Sequence, residues 1–274
     1  MTASAIASLT KATLRFGQRT IWREVDLTVR PGEFIAILGP NGTGKTTLLR
    51  SILGLTQLSA GTIEVAGHSP RRGDDTVGYI PQQKALDRDL PIRGRDIVRL
   101  GLDGHQFGFF HADKADTKRV DEVIAEVGAT DYADKAIGLL SGGEQQRLRI
   151  AQSLLSRPKL LLCDEPLLSL DLKSQQTVTS LIDSYRQRIG MAVLFVTHDI
   201  NPILDVVDRV LYLVDGKWAI GTPEEVLTTK SLTRLYGAPV DVLRIRGRIV
   251  VVSTAESVAA TGHHTHDPAG STSR

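Results

Sequence analysis

Residues 34–49 read FIAILGPNGTGKTTLL. The opening FIAILG is an unbroken apolar run, the form a strand takes when both of its faces are buried, as in parallel α/β sheets. The closing residues, continued as TTLLRSILGL, change to helical spacing, and that helix should close near Gly54. Between strand and helix, Gly39 to Thr46 fill the pattern GxxxxGK[ST]. Glycines in such a loop let backbone N–H groups approach a β-phosphate, Lys45 offsets β/γ charge, and the Thr46 hydroxyl takes a Mg²⁺ coordination position. The nucleotide-binding candidates here are Gly39, Pro40, Asn41, Gly42, Thr43, Gly44, Lys45, Thr46 and Thr47.

On the N-terminal side, Leu9, Ala12, Leu14 and Phe16, then Ile21, Val25, Leu27 and Val29, alternate up to Pro31-Gly32, which predicts two strands of a small antiparallel sheet. On the other side, short strands are expected around GTIEVAG and at VGYI. Residues 83–136 then become charged and helical in pattern, an inserted helical subdomain that extends to about 157. Helix 142–156, strand 160–163, helix 173–187 and strands 191–196 and 210–214 follow. This alternation predicts an α/β fold, a P-loop NTPase core whose mostly parallel sheet is flanked by helices. Residues 241–253 resemble a final hairpin, so the domain should span 1–254. The small, polar tail over 255–274 is expected to be disordered.

Composition bounds the function. With 274 residues and 41% apolar content, a sizeable core can be buried. No run approaches the roughly 18 apolar residues of a membrane span, and MTASAIASLTKATLRF lacks the apolar region of a secretory signal. The lone Cys163 cannot form an internal disulfide, which favours the cytosol; it reads as a small core residue on a strand rather than a nucleophile. A net charge of +2 gives little reason to expect a nucleic-acid partner.

Three further stretches carry chemistry. LLLCDEP, 160–166, is a second buried strand ending in two carboxylates. By itself such a pair marks an ordinary strand end; behind a P-loop, Asp164 is the expected partner of Mg²⁺ and Glu165 can aim at the water attacking a γ-phosphate. His198 in FVTHD lies just past another buried strand, where an imidazole can hold the γ-phosphate or that water, or else be satisfied by backbone. Gln82 in GYIPQQ is a neutral group able to reach Mg²⁺ or the water and move away again.

LSGGEQQR, 140–147, is written as a helix N-terminus that holds an anion through Ser141, Gly142 and Gly143. The chain already has one phosphate cradle, yet no group covers the outer side of the γ-phosphate. Other NTPases fill that gap with an arginine finger, and a helix N-terminus with about +0.5 charge can do similar work. The second grip therefore serves a neighbour's nucleotide, which implies a dimer with two ATP molecules at its interface.

GPNGTGKTT, GYIPQQ, LSGGEQQR, LLLCDEP, SLD at 169–171 and VTHD at 196–199, in this order and spacing, resemble the ATPase subunits of ABC transporters over about residues 7–230. The resemblance implies a head-to-tail homodimer in which Ser141, Gly142 and Gly143 of one subunit complete a site formed by Lys45, Thr46, Gln82, Asp164, Glu165 and His198 of the other. It implies catalytic roles for Glu165, His198, Lys45 and Gln82, and Mg²⁺ ligation by Thr46, Gln82 and Asp164. Asp171 would connect the two sites, and Phe16 stands where the family stacks an aromatic on adenine; the alternative for Phe16 is a buried strand residue.

The family's partners would be integral-membrane permease subunits on the cytoplasmic face of the cell membrane, with residues 83–136 docking on them, and indirectly an extracytoplasmic substrate-binding protein. GYIPQ, THDINPIL, DRVLYLVDGKWAIGTPEEVL and LYGAPVDVLRIRGRIVVV look like the zinc/manganese importer branch, and His263, His264 and His266 in the tail add metal-ligand chemistry. A siderophore or other nutrient is the alternative cargo. A soluble ABC protein acting on ribosomes or DNA is the rival class, although its relatives generally carry two cassettes or long coiled coils. A GTPase finds a DxxG match at Asp75–Gly78 but no NKxD.

Overall fold

The computed structural model describes residues 5–82, 91–103 and 114–253. Strands β1 (Ala7–Phe16) and β2 (Arg19–Val29) form an antiparallel hairpin. Strand β3 (Phe34–Leu38) runs into helix α1 (Lys45–Ile52). Strand β4 (Ala60–Val65) returns to the other side of β1, so the N-terminal sheet has three strands in the order β2-β1-β4 instead of the two expected. Strand β5 (Val77–Ile80) is followed by helices α2 (Gly94–Asp103), α3 (Lys114–Glu126) and α4 (Gly142–Leu154). Strand β6 (Leu160–Asp164), helix α5 (Leu172–Ile189), strand β7 (Ala192–Val196) and strand β8 (Arg209–Val214) complete the alternation. Helices α4 and α5 differ from their expected bounds by one or two residues at their ends, where the last turns fray.

The main sheet has the order β5-β6-β7-β3-β8-β9, with β9 spanning Lys217–Gly221. Its first five strands are parallel and β9 is an antiparallel edge. Every residue of β3, β6 and β7 is buried, as their uninterrupted apolar runs require. Alternate residues separate into two cores. Phe34, Ala36, Cys163, Val193 and Phe195 face α2 to α5, whereas Ile35, Ile37, Leu160, Leu162 and Leu194 face α1 and the antiparallel sheet. The sheet is thus the middle layer, and the carboxyl ends of β3, β6 and β7 open on one edge, where α/β folds gather ligand-contacting groups.

Beyond Val214 the sequence pattern predicts only the hairpin. The structure adds β9, a short helix α6 (Pro223–Val226) and helix α7 (Thr229–Tyr236) before strands β10 (Val240–Ile245) and β11 (Arg248–Ser253). These elements are too short for periodicity to declare them. Their termini hold them instead: Thr222 and Glu225 form a reciprocal capping box, and Gly237 closes α7 in the left-handed region at φ 71°. No helix among the described residues is long and apolar enough to cross a membrane. The tail with His263, His264 and His266 lies outside the described residues, as does part of the 83–136 segment.

Candidate functional site

The loop after β3 is shaped by contacts that only glycine allows. Gly39 has φ 139°, and a Cβ there would lie 2.0 Å from the carbonyl oxygen of Leu213. Gly44, at φ 90°, would place a Cβ 2.3 Å from Ile21 Cγ2 and 2.9 Å from the Trp22 indole nitrogen. The loop is therefore pressed against β8 on one side and β2 on the other, just before the start of α1. Thr43 Oγ1 donates to the Pro40 carbonyl at 2.9 Å. Lys45 Nζ reaches back to donate to the carbonyls of Gly39 and Pro40, at 2.7 and 2.9 Å. Burial pushes the Lys45 ammonium below the ordinary lysine value, while the charges of Glu165 and Asp164 oppose that shift.

The carboxyl end of β6 stands opposite. Asp164 is buried, accepts from Thr46 Oγ1 at 2.9 Å and receives the Tyr79 hydroxyl at 3.4 Å. Burial first, and then the Asp164 charge, push the Tyr79 phenol up to about 12, so it stays a neutral donor at physiological pH. The next residue, Glu165, is held in the left-handed region at φ 49°, with its N–H donated to the Val196 carbonyl at 3.0 Å. This conformation is unusual for a residue with a side chain. Glu165 Oε2 lies 3.8 Å from Nδ1 of His198, which is largely exposed past the end of β7.

These groups share one cleft of about 630 Å³, lined by Ile21, Asn41, Gly42, Gly44, Lys45, Thr46, Thr47, Gln82, Glu165, Leu168 and His198. Asp164 sits behind Thr46 rather than on the wall. Phe16 does not line the cleft, but it is 55% exposed at the tip of the β1–β2 hairpin, which excludes the buried-strand alternative. Three residues further on, the Arg19 guanidinium donates to the Gly42 carbonyl at 3.5 Å, linking that hairpin to the phosphate loop. Cys163 is fully buried in the core, and burial pushes its thiol far up, as befits a packing residue.

Ser141, Gly142, Gly143 and Asp171 are absent from the cleft wall and form a second locus. Ser141 caps α4: its Oγ accepts the Glu144 N–H, and its own N–H and hydroxyl each donate to Glu144 Oε2 at 2.8 Å. The hydroxyl expected to face an anion is thus engaged within its own chain. Asp171 caps α5 in the same manner, accepting from Ser174 N–H at 2.9 Å and Ser174 Oγ at 2.8 Å. The two helix starts abut, since a Cβ on Gly143 would lie 2.8 Å from Ser174 Oγ. Gln145 donates to the Ile137 and Leu140 carbonyls and Gln175 to the Leu170 carbonyl, each at 3.1 Å, so each helix ties down the loop that precedes it. Sequence reasoning missed Tyr79, Ser174, Gln145 and Gln175. Only GYIPQQ and LSGGEQQR, which contain Tyr79 and Gln145, hinted at any of them.

The fold and this cleft define a P-loop nucleoside triphosphatase. The sequence profile described as ABC transporter matches residues 22–168. The manganese transport system ATP-binding protein of Halalkalibacterium halodurans is 33% identical over 238 residues, 87% of this chain and 94% of that protein. The zinc import ATP-binding protein of Halorhodospira halophila is 36% identical over 231 residues, 84% and 82% of the two chains. A solved structure described as an inward-facing conformation of a metal-chelate type ABC transporter aligns with TM-score 0.78 at 26% identity, covering 92% of this chain and all of that one. The chain belongs to the ABC transporter family, as an ATP-hydrolysing cassette.

Proposed function

We propose that the chain drives a separate membrane permease by hydrolysing ATP in a homodimer, and that the complex imports a divalent metal ion, zinc or manganese. The observation that carries this reading is the division of the nucleotide-site motifs into two loci. One contains a phosphate cradle, a buried carboxylate and a carboxylate–imidazole pair; the other, at Ser141 to Gly143, does not line the cleft it would complete. In a head-to-tail pair, that helix N-terminus of one copy covers the outer side of the γ-phosphate held by the other.

In this reading the N–H groups of Gly42 to Thr47 hold the β-phosphate and Lys45 exchanges two loop carbonyls for phosphate oxygens. Glu165 orients and polarises the attacking water, and His198 beside it holds the γ-phosphate. The all-oxygen set of Thr46, Gln82 and Asp164 suits Mg²⁺, which would neutralise charge on the β- and γ-phosphate oxygens. Phe16 provides an exposed ring for the adenine, Asp171 links the two sites, and helices from the 83–136 segment dock on the permease at the cytoplasmic face of the membrane. A substrate-binding protein would deliver the cargo from outside.

The metal assignment rests on relatives named for manganese and zinc transport. A second reading, uptake of a metal chelate, is favoured by the structural neighbour of that description. Both are tested by reconstituting the chain with its permease and binding protein and following ATPase activity. Stimulation is expected from zinc- or manganese-loaded binding protein. Stimulation by a chelated metal alone would establish the second reading, and stimulation by an unrelated cargo without either would overturn both.

A further inference from the structure

Strands β10 and β11 pair in register from Val240↔Ser253 to Ile245↔Arg248, so their side chains divide between two faces. The inward face is anchored at two of its residues, although Arg244 and Val251 on it are exposed. Val240 and Ile249 are buried; Asn201 holds the Ile249 backbone through both its N–H and its carbonyl at 2.8 and 2.9 Å, and Thr233 brackets Val240 in the same way. On the outward face, Leu243 pairs directly with Val250, flanked by Ile245 and Val252. These four are 47%, 41%, 55% and 44% exposed.

An antiparallel ribbon with one buried face normally turns polar residues to water on the other. Here the outward face is an apolar strip instead, contiguous and held rigid, which marks an interaction surface rather than scattered surface apolar residues. Its charges lie at its two ends. Asp241 stands opposite Val252, and Arg248 opposite Ile245. Four residues of strand separate those ends by about 13 Å, too far for the two to pair with each other. Among the described residues, neither has an ion-pair partner.

This arrangement is complementary to itself. A two-fold axis lying in the interface and crossing the strands at the Leu243–Val250 pair reverses the strand direction. It lays Leu243 and Val250 of one copy on those of the other and brings Asp241 of each copy over Ile245 of the other, one strand across from Arg248 and within reach of its long side chain. We propose that the outward face of the β10–β11 hairpin docks on the same face of a second copy of this chain, in a contact that needs no nucleotide. The ATP-bridged pairing proposed above is a separate contact through different residues.

The test is sedimentation of the full-length chain without nucleotide, at protein concentrations of about 1–100 µM, the range suited to an interface of modest area. A concentration-dependent dimer is expected, and Val250→Lys should abolish it. Asp241→Arg or Arg248→Asp alone should each weaken association about tenfold, because each places like charges together at both ends of the contact. The double variant should regain wild-type association, since the two-fold sets position 241 within reach of position 248. A nucleotide-free monomer throughout this range overturns the proposal, whether solvent, residues 254–274 or another protein then covers the face. A dimer indifferent to these substitutions, or a double variant no better than the single ones, also overturns it. Glu165→Gln with Mg-ATP, run in parallel, reports the ATP-bridged pairing independently, so either contact can fail without the other.

Discussion

Thr46 Oγ1 donates a hydrogen bond to Asp164 Oδ1 at 2.9 Å, joining the first turn of α1 to the carboxyl end of β6 across 118 residues of sequence. The pair sets a hydroxyl on the wall of the cleft against a buried carboxylate behind it. Asp164→Asn keeps an oxygen acceptor for Thr46 but removes the charge. Nucleotide affinity measured in excess chelator should be unchanged, whereas affinity with Mg²⁺ should fall about 10- to 100-fold. Equal affinity of the variant and the parent in Mg²⁺ would show that the carboxylate serves only to hold α1 against β6.

Glu165 and His198 meet at the mouth of the same cleft, with Glu165 in a left-handed backbone conformation. Glu165→Gln should bind ATP normally and lose about 10²- to 10⁴-fold in turnover, accumulating as an ATP-bound dimer. Size-exclusion chromatography with Mg-ATP reads the dimer directly. A variant that hydrolyses at the parental rate would remove Glu165 from the mechanism.

The second locus separates binding from hydrolysis. Ser141 is a poor position for that experiment, because replacing its cap with Ala costs about 1 kcal/mol of helix stability. Gly142 is exposed and carries no such duty, so Gly142→Asp should bind ATP at parental affinity and hydrolyse it poorly. Mixed with Lys45→Ala, it should recover at most one working site per dimer. Loss of ATP binding in the isolated Gly142 variant would place the grip in its own subunit.

The Ser141–Glu144 box also has a pH signature. Burial raises the Glu144 carboxyl, but the Ser141 N–H and hydroxyl, aided by Lys135 and Arg147, outweigh it and hold the group below its ordinary value of 4.5. A depressed folded value means that the stabilisation is fully present above about pH 4.5 and is lost as pH falls through the lower folded value. Thermal melts between about pH 6 and 3 should therefore show a smaller acid-induced drop in Glu144→Gln than in the parent. Parallel curves would mean that the box contributes nothing through ionisation.

Two loop glycines should respond differently to the same substitution. Gly39→Ala drives a methyl to 2.0 Å from the Leu213 carbonyl, which neither backbone can yield, and should cost about 3 kcal/mol or more. Gly42→Ala meets nothing closer than the mobile end of Arg19 at 4.0 Å, so only its φ of 79° is strained, costing about 1–2 kcal/mol. Chemical denaturation distinguishes the two. Comparable losses would mean that β8 moves aside more easily than its place in the sheet suggests.

Much of the fold was legible because it is written locally. The uninterrupted apolar runs of β3, β6 and β7 can only be buried on both faces, and Gly39, Gly42 and Gly44 can take the positive φ that the turn from such a strand into a helix uses. The stretch from Val214 to Val240 was not legible, since β9, α6 and α7 are short and owe their existence to caps and to the surfaces they cover. β4 was recognisable as a strand but not as a member of the N-terminal sheet, because its partner β1 lies more than forty residues earlier.

The same division runs through the site. From the sequence alone came the identity of the groups: a phosphate loop, two adjacent carboxylates, a strand-end histidine and a second helix start suited to an anion. Their chemistry follows from residue type and near neighbours, which the chain carries with it. Tertiary structure decided which groups meet. It put Thr46 on Asp164, turned Glu165 towards His198, kept Ser141 to Gly143 off the cleft and set Gly143 against Ser174. Such meetings depend on the packing of a whole sheet between two cores, a long-range property that no short stretch of sequence contains.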